Sequence, residues 1–290
     1  MTSPSYFDKP SSSWKEKFIA FRWGGNALIS LYISVISGII VALQYNPAEP
    51  FYSTSAIELI VPYGSFWRGM HYYSSQAFFL LLLIHFTAIV WDNTHYYSRA
   101  TWVRLTMSIP IALLLLFTGY ILRDDATGEA AGLIGESITL SFPILGKWLN
   151  SLFLAVSADG VKRIYANHLA GIMIIGAYCV WPHLRRYTTH WRDNLLLIFV
   201  VLLLSVFVIA PIEPVRIGQL HIAGPWFFLG LQELLRYTHP FWAGIFFPGI
   251  LVFALLRLPH KGKKRNIYLY LIWIWLGLYA LLTLQSYYRI

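Results

Sequence analysis

The sequence predicts an all-α polytopic membrane protein with about seven transmembrane helices, arranged as a four-helix bundle followed by three C-terminal helices. Hydrophobic residues make up 57% of the 290 residues, and charged residues make up only 12%. This balance excludes an ordinary soluble domain. Apolar runs long enough to cross a bilayer recur along the chain, and each is bounded by proline, glycine or charged residues that end a helix or face water.

The apolar runs define the elements in order. The candidate helices cover residues 23–45, 66–91, 102–122, 164–184, 194–212, 238–257 and 267–288. A helix needs about 20 apolar residues to cross the hydrocarbon core, and each run is near that length. The longest stretch between them, 123–163, carries apolar patches of its own, and we expect it to form short helices on the membrane surface.

The chain divides at about residue 190 into two parts of different content. Residues 1–190 hold the first four candidate helices, and residues 191–290 hold the last three. No internal repeat or low-complexity linker marks the division, so it rests on the helix pattern alone.

The basic residues are unevenly distributed between the two ends of these helices. Fourteen of the 22 Lys and Arg residues fall on the side of the N-terminus, and nine of the 13 acidic residues fall on the opposite side. The positive-inside rule therefore places the N-terminus in the cytoplasm. The net charge of +9 is explained by topology, so we do not expect nucleic-acid binding. Residues 1–17 are polar, and no cleaved signal peptide is expected.

Four histidines lie inside the second and fourth candidate helices, as the pairs His71/His85 and His168/His183. Their spacings of 14 and 15 residues separate the members of each pair by roughly 20 Å and point them the same way within about 60°. Two such helices side by side bring His71 opposite His168 and His85 opposite His183. A lone membrane histidine commonly hydrogen-bonds a neighbouring helix. Four at matched spacing favour two six-coordinate haems stacked across the membrane.

The residues also limit the chemistry of such haems. The single cysteine, Cys179, lies in an apolar helix, and no Cys-x-x-Cys-His motif occurs. Covalently attached haem and iron–sulfur clusters ligated by this chain are therefore excluded. Because two histidines fill both axial positions of a haem, it can only transfer electrons. Proton-coupled chemistry needs a second molecule, for which we expect a quinone.

Three glycines and one arginine lie at characteristic positions in the helices that we expect around the histidines. Gly24 and Gly38 lie 14 residues apart in the first helix, Arg68 stands three residues before His71, and Gly119 lies near the end of the third helix. In these motifs, and over almost the whole chain, the sequence resembles cytochrome b of bc and bf quinol oxidoreductases, in its short chloroplast-type form joined to a subunit-IV-like C-terminal part. The resemblance implies that the three glycines let haem edges approach and that Arg68 binds a haem propionate.

Two departures from the family pattern fall at its outer quinol site. Asp124 stands where the family has a tryptophan, and Pro225 stands where it has a glutamate that accepts a proton. Proline cannot accept a proton, and an aspartate removes apolar packing from a quinone slot. We therefore predict that this site is rebuilt or lost, and that the protein does not send the two electrons of a quinol to different acceptors.

On the outer side the candidate quinone-site carboxylates are Asp124, Asp125, Glu129, Glu213 and Glu233, of which Asp124, Asp125 and Glu233 are predicted as proton acceptors. Glu233 is favoured because it follows an aromatic segment in an apolar setting, whereas Arg236, three residues on, could pair with it in a purely structural role. The cytoplasmic-side candidates are Arg22, Asp92, His95, His190 and Asp193.

The leading hypothesis is a dihaem cytochrome b subunit that carries electrons across the bilayer between a quinone and an outer-side redox partner. The alternatives are a bifurcating bc-type subunit, and a non-catalytic haem conduit or anchor for an external dehydrogenase or reductase. Expected partners are an iron–sulfur protein, a multihaem cytochrome c or a dehydrogenase, and dimerisation is left open. The expected location is an energy-transducing membrane, namely a prokaryotic cytoplasmic (inner) membrane.

Overall fold

A computed structural model describes residues 13–92, 97–158, 160–214, 222–258, 262 and 264–289. These residues form helices and the segments that connect them, and none of them forms a strand. The α-helices are α1 Trp14–Ala20, α2 Trp23–Ala42, α3 Pro50–Leu59, α4 Gly64–Asp92, α5 Arg99–Ile121, α6 Ala126–Leu140, α7 Gly146–Phe153, α8 Val161–Ala166, α9 Ile172–Leu184, α10 Leu195–Phe207, α11 Leu229–Leu234, α12 Phe247–Arg257 and α13 Lys264–Tyr287. Two π-helical turns precede α9 and α12, at Asn167–Gly171 and Trp242–Phe246.

The predicted all-α membrane fold is confirmed, and within the described residues five helices are long and apolar enough to cross a membrane. These spans are Trp14–Ala42, Gly64–Asp92, Arg99–Ile121, Val161–Leu184 and Lys264–Tyr287. The other two predicted helices are present but shorter. Predicted helix 194–212 ends at Phe207 because the backbone becomes extended at Val208. Pro211 then has no N–H to continue the helix and disfavours helical geometry in the residue before it.

The long helices pack in a way that brings the histidine-bearing segments together. α2 lies along α4, α10 packs on α4, and α5 packs against α9. One buried cluster joins α5 to the aromatic segment before α11 through Phe117 and Phe228, whose ring centroids are 5.4 Å apart. A second cluster joins Trp102 of α5 to α12 and α13. Each cluster contains residues from both sides of residue 190. The division of the chain at residue 190 therefore stays a prediction from the helix pattern.

The stretch 123–163 forms short helices, as predicted. α6 packs closely on α5 because small residues face it, and a Cβ added at Gly135 would lie 2.8 Å from Phe117 Cζ. α7 buries Gly146 and Asn150, while Trp148 on its other side is exposed. The sequence did not predict α3, which contributes Glu58 to the region described next.

Candidate functional site

Four histidine rings form two pairs between the same two transmembrane segments. α4 carries His71 and His85, His168 lies in the π-helical turn before α9, and His183 lies in the last turn of α9. The ring centroids of His71 and His168 are 6.3 Å apart, and those of His85 and His183 are also 6.3 Å apart. The structure thus brings together the pairs expected from the sequence. We call His71 and His168 the first pair, and His85 and His183 the second pair.

The separation within each pair fits one metal ion between two imidazoles. With metal–nitrogen distances of about 2 Å, two opposed imidazole ligands have centroids about 6 Å apart. Among the described residues, no group of three or more His, Cys, Asp or Glu side chains could hold a metal ion. A site with only two protein ligands suits an iron whose other four ligands come from a porphyrin. The residues present therefore fit a haem at each pair.

Hydrogen bonds fix which nitrogen of the first pair faces the partner ring. His71 Nδ1 donates to the carbonyl oxygen of Ser34 at 2.9 Å. Thr118 donates its hydroxyl hydrogen to Leu114 O, so its Oγ1 accepts from His168 Nδ1, also at 2.9 Å. In both rings the proton is on Nδ1, and Nε2 keeps the lone pair that a metal needs.

Each of the three predicted glycines lies against one of these rings. A Cβ added at Gly38 would come within 2.8 Å of His71 Cε1, and one at Gly24 within 2.9 Å of His85 Cε1. At Gly119 the corresponding distance, to His168 Cε1, is an ordinary 3.4 Å. A side chain at Gly24 or Gly38 would therefore have to displace a histidine ring.

A largely apolar cavity of about 310 Å³ adjoins the first pair. It lies between α2, α4 and α5, and its wall includes both rings of the first pair together with Gly38 and Gly119. Arg68 and Arg123 also line it, and both side chains are buried. The cavity thus combines apolar walls, two imidazoles and two cationic groups.

The two arginines are held by groups of the protein. Arg68 Nε donates to Glu58 Oε2 at 2.6 Å, and Arg68 Nη2 donates to Ala210 O. Arg68 and Arg123 both donate to Pro211 O, at 3.3 and 3.0 Å. The early end of α10 frees these carbonyls, because the extended segment that follows cannot use them within a helix.

The predicted carboxylates Asp124 and Asp125 occupy different environments. Asp125 is fully buried and caps α6, accepting from Gly128 N and from Glu213 N at 2.9 Å each. Asp124 has a φ of 53°, in the left-handed region. Partial burial raises the pKa of Asp124, and the nearby carboxylates of Glu129 and Asp125 raise it further. Asp124 is therefore more readily protonated than an ordinary aspartate.

Glu233 lies in an ion-pair cluster and, like Asp124 and Asp125, is not among the residues that line the cavity. Its side chain is 1% exposed, and Oε1 accepts from the Tyr237 hydroxyl at 2.9 Å. Arg236 and Arg289 each place a nitrogen 3.3 Å from one of its oxygens. The contact with Arg236 matches the structural alternative given from the sequence, in which Arg236 pairs with Glu233.

On the cytoplasmic side predicted from the sequence, Arg22 forms an ion pair with Asp193, and both side chains are largely exposed. Arg22 stands two residues before Gly24, which contacts His85. His95 lies outside the described residues.

Sequence reasoning missed the polar groups that hold the first pair and the cavity. Ser34 lies one helical turn before Gly38, and Thr118 directly precedes Gly119. Small polar residues next to glycines were the available signal for both. Glu58 and Arg123 gave no such signal, because Glu58 meets Arg68 only through the packing of α3 on α4, and Arg123 meets Pro211 across 88 residues of sequence.

Comparison with known proteins agrees with this arrangement. The family described as Cytochrome b/b6/petB matches residues 8–185 of the chain. Cytochrome b6 of Heliomicrobium gestii is 29% identical over 168 residues, which cover 56% of this chain and 78% of that protein. The menaquinol:cytochrome c reductase cytochrome b subunit of Bacillus subtilis (strain 168) is 24% identical over 156 residues, covering 51% of this chain and 70% of that protein.

A solved structure shares the fold. A chain of a hyperthermophilic respiratory Complex III superposes with a TM-score of 0.68 at 20% identity, covering 91% of this chain and 82% of that chain. The family match spans more than half of the sequence and includes all four paired histidines. The chain therefore belongs to the cytochrome b family.

Proposed function

We propose that this protein is a dihaem cytochrome b subunit of a membrane quinone-linked oxidoreductase complex. One haem b would be held by His71 and His168, and a second by His85 and His183. The observation that carries the proposal is the equal 6.3 Å separation of the rings in both pairs. A haem in such a site supplies a one-electron redox centre.

The surrounding residues suit electron transfer without substrate binding at iron. The two imidazoles of each pair would hold the iron from the protein side, and an iron held in this way supplies electron transfer and no site for oxygen or substrate. The Nδ1 hydrogen bonds of His71 and His168 hold the first pair in the tautomer that presents Nε2. Gly24, Gly38 and Gly119 leave room beside the rings. The residues therefore position two electron carriers and keep them at fixed separation.

The membrane orientation follows from the basic residues. We place the N-terminus in the cytoplasm, so that the first pair lies towards the outer face and the second towards the cytoplasmic face. We further propose a prokaryotic inner membrane, a quinone as electron donor or acceptor, and a redox partner on the outer face. An iron–sulfur protein, a multihaem cytochrome c or a dehydrogenase fits this last role.

Of the three outer carboxylates, we favour Asp124 as a quinone proton acceptor. Its pKa is raised by burial and by Glu129 and Asp125, so it can take up a proton more readily than an ordinary aspartate. Asp125 is committed to capping α6, and Glu233 is paired with two arginines. We therefore assign them weaker claims to this role.

We also propose that this subunit does not bifurcate electrons. Pro225 is buried, and its carbonyl accepts from Phe228 N at 2.7 Å, so this position offers no side chain that takes a proton. The test is oxidant-induced reduction of the b haems while an inhibitor blocks a quinone site on the cytoplasmic side. Transient over-reduction on adding oxidant would demonstrate bifurcation and overturn this part of the proposal.

The central test is the haem stoichiometry of the purified chain. Pyridine haemochrome assay should give two haems per chain, and acid–acetone should extract all of them because no cysteine attaches them. A stoichiometry near one, or haem left on the polypeptide, would contradict the proposal.

A further inference from the structure

A buried arginine, Arg123, lies just after α5. Arg123 is 9% exposed and lines the cavity beside the first pair. It comes four residues after Gly119, which contacts His168, just as Arg68 comes three residues before His71. Arg68 in α4 and Arg123 just after α5 therefore both contribute to the cavity wall beside the first pair.

The donors of Arg123 are only partly used by the protein. A guanidinium has five N–H groups. Arg123 Nη1 donates to Pro211 O at 3.0 Å, and Nη2 donates to Asp125 Oδ1 at 3.3 Å. Arg123 Nε is buried and has no hydrogen-bond partner among the described residues. A buried N–H left without a partner is costly, which indicates that a ligand supplies the acceptor.

The neighbouring carboxylate of Asp125 forms a salt bridge with Arg123 but engages only one of its nitrogens, Nη2. Asp125 accepts two backbone N–H groups, from Gly128 and Glu213, each shorter than its contact with Arg123. Asp125 would therefore stay hydrogen-bonded without the arginine. The remaining N–H groups of Arg123 stay available for an anionic acceptor.

We infer that Arg123 binds a carboxylate of the ligand in this cavity, and that it forms with Arg68 a two-arginine clamp for the propionates of the first-pair haem. The inference rests on the proposed function, since that haem is the ligand. Guanidinium groups favour carboxylates because two parallel N–H groups match two oxygens. Arg123 is thus a positioning residue that also places a positive charge beside the first pair and not beside the second.

The experiment measures the reduction potentials of both haems in the complex purified with its native partners. Arg123→Gln removes the charge, so the reduction equilibrium of the first-pair haem should fall at least tenfold, which is about 59 mV for one electron. The second-pair haem in the same spectrum is the internal reference and should not change. Arg163→Gln is the matched control, because Arg163 is exposed, lies in α8 and does not line the cavity.

A second variant keeps the test valid if Arg123→Gln does not accumulate. Arg123→Lys keeps the charge but cannot form the forked contact. With haem labelled by ¹³C at its propionate carboxyls, the redox infrared difference spectrum should show a shifted carboxylate band in Arg123→Lys. Unchanged potential and unchanged bands, or equal shifts at both haems, would overturn the inference. Absence of the first-pair haem from the wild-type protein would instead overturn the proposed function.

Discussion

The two histidine pairs have the same ring separation but different surroundings. At the first pair, Ser34 and Thr118 hold the two Nδ1 atoms, and the ring planes are close to perpendicular, at 79°. At the second pair the ring planes are inclined by 47°, and Tyr187 lies 4.6 Å from His183, centroid to centroid. The rings are thus equally far apart in both pairs, but the residues around them and the angles between the ring planes differ.

The ion pair near the first pair is buried, and the ion pair near the second pair is exposed. Glu58 and Arg68, near the first pair, are each only 8% exposed, whereas Arg22 and Asp193, near Gly24, are 71% and 40% exposed. A buried pair depends on both partners being present, while an exposed pair is already stabilised by water. The first-pair end should therefore tolerate polar substitutions poorly, and the second-pair end should tolerate them well.

The largest effect is expected from removing a ligand of either pair. His168→Leu should remove the first-pair haem only, and His183→Leu the second-pair haem only, because each iron depends on its own two imidazoles. Haem content should fall from two to one in each variant, measured by pyridine haemochrome assay and low-temperature spectra. His239→Leu, an exposed histidine outside both pairs, should keep two haems. Loss of both haems in each variant would show that the pairs are not independent.

The ion pairs give the next largest contrast. Glu58→Gln should lower the free energy of unfolding by about 3–5 kcal/mol, because it leaves the buried Arg68 charge without its carboxylate. Asp193→Asn should change it by about 0–1 kcal/mol. Denaturation by SDS in mixed micelles measures both. Equal losses would show that the two ends do not differ in the way their burial indicates.

The hydrogen bond to His168 should have a smaller effect. Thr118→Val removes the acceptor for Nδ1 and should weaken iron ligation about ten- to a hundredfold, as is typical for such outer-shell partners. Faster haem transfer to apomyoglobin would report this change. Thr106→Val is the matched control on the same helix, because the Thr106 hydroxyl is buried without a hydrogen-bond partner among the described residues. If both variants lose haem equally fast, the His168 contact has no special role.

The smallest expected effect concerns Asp124 at the first-pair end. Its pKa is raised in the folded state by burial and by Glu129 and Asp125, so the folded protein favours the protonated form. Wild-type stability should therefore fall as the pH rises from about 4 through the folded-state pKa. Asp124→Asn, which also tolerates a positive φ, should remove this fall. The variant should melt higher than wild type at pH 7, by less than about 2 °C, and no higher at pH 4.

The sequence predicted the helices and the spatial pairing of the four histidines because both follow from repeated patterns. Apolar runs locate membrane helices, and the 14- and 15-residue spacings align the histidines. The one-residue difference between the spacings is absorbed by the π-helical turn at Asn167–Gly171. Such a turn inserts one residue into an otherwise regular helix. The sequence carries no simple signal for it.

The groups around the paired histidines were less predictable because their contacts depend on how separate helices pack. Glu58 reaches Arg68 only because α3 packs on α4, and Arg123 reaches Pro211 across 88 residues of sequence. Glu233 was favoured for its apolar neighbours, but the sequence could not reveal that Arg289, at the other end of the C-terminal part, would reach it. Hydrophobic periodicity describes faces of helices and says nothing about such pairings.

With an electron carrier at each histidine pair, the distance between the pairs would make electron transfer sensitive to membrane voltage. Fourteen residues of α4 separate His71 from His85, about 21 Å of a hydrocarbon layer about 30 Å thick. With an electron carrier at each pair, moving one electron between them crosses about two thirds of the membrane field, worth about 1.6 kcal/mol per 100 mV. A change of 100 mV would then alter the ratio of electrons on the two carriers roughly fifteenfold. The redox state of the two pairs would thus report the energisation of the membrane in which the protein sits.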